Sequence, residues 1–137
     1  MSSKWGENVA ILLGDYVFAT SATLVCDTNN VRVIRRFSET IMELSSGELS
    51  EISAAFKWNI TMESYWQRIY EKTASLFSTS AESGAVLSGV SEDVVQSLKS
   101  YGYNLGMAFQ IVDDILDFQA TEDEIGKPVG SDLLHGT

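Results

Sequence analysis

A single proline in 137 residues, at Pro128, leaves nearly the whole chain free to run as uninterrupted helix. Apolar residues recur at helical spacing and strand-like alternation is hard to find, so the pattern predicts an all-α fold. A first helix is expected from about Glu7 to Val25, with Val9, Leu12, Leu13, Tyr16 and Val17 in helical register. It should stop at the turn-forming run Asp27-Thr28-Asn29-Asn30. A second is expected from about Val31 to Ala55, capped by Asn30, with Val33, Ile34, Phe37, Ile41, Leu44 and Ile52 on its apolar face. Gly47 inside it costs about 1 kcal/mol relative to alanine, which predicts close packing or a kink there. A third runs from after Thr61 to about Ala85, carrying Tyr65, Ile69, Leu76 and Phe77. A fourth starts at Ser91, whose hydroxyl can cap a first turn made acidic by Glu92 and Asp93. Residues 120–137, with Gly126, Pro128, Gly130 and Gly136 among charges, read as a loop-like tail. The expected architecture is one domain over residues 1–137, an antiparallel helical bundle with short connections.

An apolar content of 45% is enough for a real core in a chain of this length. The net charge of −10 gives the overall field no basis for binding nucleic acid or anionic lipid. An anionic substrate would also be repelled unless a metal ion reversed the sign locally. Cys26 stands alone, so no intrachain disulfide forms, and its neighbours Leu24 and Val25 predict a buried structural thiol. A reducing setting fits, either cytoplasmic or an organelle stroma. Val9 to Val25 is apolar over about 17 residues, the lower limit for a membrane span, but Asp15 lies near its middle. A central bundle helix explains it better than a transmembrane segment. The start, Met-Ser-Ser-Lys-Trp-Gly, lacks the apolar core of a signal peptide.

The fourth helix carries the chemistry. Gln110-Ile111-Val112-Asp113-Asp114-Ile115-Leu116-Asp117 sets three carboxylates and an amide in an otherwise apolar segment. Carboxylates in such a setting call for cationic partners. From Gly106, the residues Gln110, Asp113 and Asp117 follow at steps of four, three and four, which draws one polar stripe along the helix. Asp114 lies about 100° round from Asp113, close enough to serve the same cavity. Hard oxygen ligands on a rigid helix suit Mg²⁺ shared with a phosphate substrate. The alternative is a solvated acidic face. Lys72, beside Thr73, can neutralise a phosphate as a point charge, or can be a surface lysine paired with Glu71 or a neighbouring helix. Lys127 follows Gly126 in a loop that could fold back over the stripe. Together these residues describe a diphosphate site.

The run Gly106 to Asp117, followed by Gly126-Lys127-Pro128-Val129-Gly130-Ser131-Asp132-Leu133, resembles the second aspartate-rich region of trans-isoprenyl diphosphate synthases. These are head-to-tail chain elongators that make geranylgeranyl, octaprenyl, solanesyl and related diphosphates. Three further segments are similar and in order: Trp5 to Phe18, Gly47-Glu48-Leu49, and Lys72-Thr73-Ala74-Ser75-Leu76-Phe77. The resemblance implies part of the isoprenoid synthase fold. It implies that Asp113 and Asp114 hold Mg²⁺ bridging an allylic prenyl diphosphate, with Asp117 in the same acidic cluster. Lys72 and Lys127 then contact that diphosphate, Thr73 lines the pocket, and Gln110 stabilises the developing allylic cation. The cation is attacked by isopentenyl diphosphate. A homodimer or other helical self-association is also implied, with an interface that includes the first two helices. One position departs from the pattern: the residue four after Gly47, commonly glutamine in the family, is Glu51, and an altered hydrogen bond in the pocket is expected.

No second cluster of three aspartates at comparable spacing occurs. The first aspartate-rich motif and the upstream residues for isopentenyl diphosphate are therefore missing, and the chain reads as the middle portion of a synthase, expected to be inactive alone. A non-catalytic interaction subunit of a heteromeric prenyl diphosphate synthase is the alternative, and an unrelated helical metal-binding module a further one.

Overall fold

A computed structural model describes residues 6–55 and 61–119. The described residues form helices joined by short turns: α1 (Glu7–Asp27), α2 (Val31–Ala54), α3 (Met62–Ile69), a π-helical turn (Tyr70–Ala74), α4 (Ser75–Leu87) and α5 (Glu92–Gln119). No strand occurs among the described residues, so the all-α expectation holds. The loop-like tail expected over residues 120–137, and with it Lys127, lies outside the described residues.

The chain divides into two compact units, residues 1–37 and 38–137, with the boundary inside α2. In the first unit, α1 ends where the sequence turns polar. Asn29 takes a left-handed conformation (φ 51°), which asparagine tolerates, and its amide donates to the Cys26 carbonyl at 3.0 Å. Asn30 then caps α2, its side-chain oxygen accepting from the Val33 amide at 3.2 Å. Phe18 and Phe37 stack with ring centroids 6.2 Å apart. Two expectations fail here. α1 has no buried residue, and Leu12 and Tyr16 are 67% and 71% exposed, so its apolar residues do not form a core stripe within this chain. Val9, Leu12, Leu13, Tyr16 and Val17 do share one face, but Ile11, Phe18 and Val25 lie on the other, so no single stripe is marked out for a core. Cys26 is exposed too, although its apolar neighbours predict burial. α1 is also long and apolar enough to cross a membrane by length and composition.

In the second unit, α5 packs antiparallel along α4 and the π turn. The register is visible in its contacts. Lys99 pairs with Glu82 at 3.0 Å, Gly102 lies against Phe77 and Ser78, and Gly106 lies against Ala74. Those glycines are required. A Cβ on Gly106 would sit 2.5 Å from the Ala74 Cα, and one on Gly102 would sit 2.6 Å from the Phe77 carbonyl. α2 approaches equally closely. A Cβ on Gly47 would meet the Glu71 Cβ at 2.9 Å and the Lys72 amide nitrogen at 3.1 Å, so close packing explains that glycine. Thr40 on α2 and Thr79 on α4 share a buried hydroxyl–hydroxyl bond of 2.6 Å. The buried apolar centre is Ile69, Ala74 and Met107, with Tyr65, Tyr70 and Ile111 packed around it.

The π turn interrupts what the periodicity alone presents as one third helix. The Ser75 amide reaches back five residues to the Tyr70 carbonyl, and the Ser75 hydroxyl donates to the Glu71 carbonyl at 3.0 Å. Such insertions occur frequently at functional sites, and this one contains both Lys72 and Thr73.

Candidate functional site

The polar stripe of α5 meets α2, α3 and the π turn at a cavity of about 370 Å³. Its lining is apolar at Ile69, Ile111 and Ile115 and polar at Glu51, Tyr65, Arg68, Lys72, Gln110, Asp113 and Asp114, the polar part being called its wall below. The α5 residues reach it because positions 110, 113 and 114 share one side of that helix, as the spacing predicts. Lys72 reaches it from the π turn, held in place by the Gly47 contact.

A hydrogen-bonded chain fixes the centre of the wall. Thr73 Oγ1 donates to Gln110 Oε1 at 2.5 Å, and Gln110 Nε2 donates to Asp114 Oδ1 at 2.8 Å. Tyr65 donates its hydroxyl to Asp114 Oδ2, also at 2.8 Å. Both carboxylate oxygens of Asp114 are thus oriented by neutral donors, and each keeps acceptor capacity for a cation. Burial first, and then the hydrogen bond and charge of Asp114, push the Tyr65 hydroxyl up to about 12, so it stays a donor throughout the neutral range.

The sequence-predicted residues separate into groups. Lys72, Gln110, Asp113 and Asp114 come together at the cavity, and Thr73 supports it through Gln110. Asp117 continues the stripe but is fully buried and does not line the cavity. Lys127 lies outside the described residues. Two polar lining residues, Tyr65 and Arg68, escape the sequence reading as site residues. Tyr65 and Arg68 precede Lys72 by seven and four residues, which puts all three on one side of a helix, and the Arg68 guanidinium lies 5.8 Å from the centre of the Tyr65 ring. Glu51 grips the Lys72 ammonium with both oxygens, at 2.6 and 2.9 Å. The neighbouring-helix partner considered for Lys72 is therefore Glu51, and the altered hydrogen bond expected at that position is an ion pair.

Among the described residues, formal charge at the wall comprises three carboxylates, Glu51, Asp113 and Asp114, against two cations, Arg68 and Lys72. That leaves one net negative charge, which opposes a free diphosphate and favours a cation. Among the described residues no three acidic, histidine or cysteine side chains converge to hold a metal by themselves. The donor set instead suits Mg²⁺, which is held by one or two carboxylates plus water and substrate phosphate oxygens. Asp113 and Asp114 are the residues that would hold it.

The sequence profile of the family described as polyprenyl synthetase matches residues 1–137. The chain belongs to the polyprenyl synthetase family. Among its relatives, component 2 of heptaprenyl diphosphate synthase from Bacillus subtilis (strain 168) is 40% identical over 136 residues, covering 99% of this chain and 39% of that protein. The crystal structure of heptaprenyl diphosphate synthase from Staphylococcus aureus superposes with a TM-score of 0.95 at 41% identity, covering 98% of this chain and 42% of the other. A polyprenyl synthase from Caulobacter crescentus CB15, solved with calcium and isoprenyl diphosphate, superposes with a TM-score of 0.90 at 33% identity, over 96% of this chain and 40% of that one. The chain thus spans about two fifths of the length of these polyprenyl synthetase relatives. Their helical folds agree with the bundle described above.

Proposed function

We propose that this chain forms the second aspartate-rich wall of the allylic diphosphate site of a trans-polyprenyl diphosphate synthase. One observation carries the reading: Asp113, Asp114, Gln110 and Lys72 line a single cavity together with Ile69, Ile111 and Ile115. The solved relative from C. crescentus, which holds calcium and isoprenyl diphosphate, supports a divalent cation and the substrate class. Mg²⁺ at Asp113 and Asp114 would supply positive charge to the diphosphate as the allylic C–O bond breaks. Lys72, and in this reading Lys127 and Arg68, add cationic charge where the leaving pyrophosphate gathers negative charge. Gln110, its amide fixed between Thr73 and Asp114, holds its side chain beside the developing allylic cation. Ile69, Ile111 and Ile115 give the prenyl carbons an apolar surface and exclude water that would trap the cation. Attack by the double bond of isopentenyl diphosphate, followed by proton loss, would complete the condensation.

The decisive experiment is calorimetric binding of an allylic thiolodiphosphate, an analogue that ionises slowly, with Mg²⁺ present. The Asp113→Ala/Asp114→Ala double variant is expected to lose about 100-fold or more in affinity, since losing even one outer-shell partner of a metal ligand costs about 10–100-fold. Equal binding by both proteins would remove the assignment. The stripe is the one such aspartate cluster in the 137 residues, so the polypeptide alone is expected to bind without condensing. Product from isopentenyl diphosphate, an allylic diphosphate and Mg²⁺ would contradict that expectation. The name of the B. subtilis relative, component 2 of a synthase, favours a second reading in which a partner subunit completes or modifies the activity.

A further inference from the structure

Lys72 occupies an unusual position for a phosphate-binding cation, because Glu51 already satisfies it. Both Glu51 oxygens lie within 2.9 Å of its ammonium, and the Glu51 side chain is only 16% exposed against 40% for Lys72. The contact is built in by the backbone. The close approach of Gly47 to Glu71 and Lys72 fixes α2 against the π turn, and Glu51 follows Gly47 by one helical turn on the same face. Glu51 also shifts the charge of the described lining. Among the described residues, two cations would balance Asp113 and Asp114 without it; with it, they carry one net negative charge. A free diphosphate therefore meets both a repulsive wall and a lysine already engaged. A diphosphate arriving with a divalent cation meets a wall whose two aspartates can take the metal, and the added positive charge reverses the local field.

We propose that Glu51 is a specificity-determining residue that competes with the diphosphate for Lys72 and so restricts the site to the metal-bound form of its ligand. The proposal rests on the diphosphate reading above and adds to it an intrinsic competitor for the phosphate-binding lysine. Glu51 acts through Lys72 and the net charge of the wall. Its role should therefore appear as coupling between positions 51 and 72, and as a changed metal requirement.

The test titrates inorganic pyrophosphate into the 137-residue chain, once with excess Mg²⁺ and once with EDTA. Wild type, Glu51→Gln, Lys72→Met, the Glu51→Gln/Lys72→Met pair and Asp113→Ala/Asp114→Ala are compared, with Glu51→Ala as a second replacement and circular dichroism as the check on folding. Glu51→Gln is expected to bind metal-free pyrophosphate about threefold more tightly than wild type, with a smaller gain in Mg²⁺. That gain is expected to vanish when Lys72 is Met, since one partially exposed ion pair is of this size. Metal-free affinity that is unchanged or weaker in both Glu51 variants, while wild type still binds in an Mg²⁺- and aspartate-dependent way, overturns this proposal alone. A gain that persists without Lys72 overturns it as well. Absence of Mg²⁺-dependent binding in every variant overturns the diphosphate reading and this proposal together.

Discussion

Asp114 is the residue on which the site turns, because it joins the stripe of α5 to the tyrosine of α3. Its two oxygens accept from Gln110 and Tyr65, so its orientation is set before any cation arrives. Replacing Tyr65 by Phe should leave one oxygen without its donor and lower Mg²⁺-dependent diphosphate affinity by about tenfold, read by calorimetry. The same contact predicts a pH dependence. The Tyr65 hydroxyl is raised from 10.0 to about 12, with burial the first cause and Asp114 the second. A raised value means that its contribution to stability is fully present below pH 10 and is lost as pH rises from 10 to 12. Urea midpoints of wild type and Tyr65→Phe should therefore converge over that window. A constant separation between pH 8 and 11.5 would contradict the assignment.

At the scale of elements, close helix approach is what assembles the wall. α5 presses against the π turn through Gly106, and α2 does so through Gly47. Gly106→Ala must push α5 off Ala74, where backbone atoms cannot yield. A loss of about 2 kcal/mol in unfolding free energy is expected, measured from denaturant midpoints, and an unchanged midpoint would contradict that packing. Much of this level was legible in the sequence. The 3.6-residue pattern locates the helices, with α1 ending at Asp27 rather than at Val25 and α5 starting beside Ser91. The stripe of Gln110, Asp113 and Asp117, with Asp114 beside it, follows from spacing alone, whereas the burial of Asp117 away from the cavity does not, and close packing at Gly47 was one of two explanations available from the sequence. The π turn was not legible, because one extra residue in a turn leaves the apolar pattern on either side nearly intact. The Glu51–Lys72 pair was not legible either. It depends on which helix faces which, and residues 21 positions apart reveal that only once α2 is docked.

At the scale of the molecule, the outstanding property is how much apolar surface the chain displays. α1 contributes Ile11, Leu12, Tyr16 and Val17, all more than half exposed. Surface of this kind marks an interaction face, and the predicted consequence is association of the chain with itself. Sedimentation should show concentration-dependent oligomers in the micromolar range, and Leu12→Lys/Val17→Lys should shift them toward monomer. A monomer at all concentrations would contradict the expectation. The central claim concerns the cavity, and linkage between its two ligands tests it most directly. If Asp113 and Asp114 hold a cation shared with the diphosphate, each ligand must raise the affinity for the other by the same factor. The decisive measurement is calorimetric titration of Mg²⁺ into the chain with and without a saturating allylic thiolodiphosphate. The account predicts weak binding of the metal alone and affinity about 100-fold tighter with the analogue present. Identical Mg²⁺ affinity in the two titrations would contradict it.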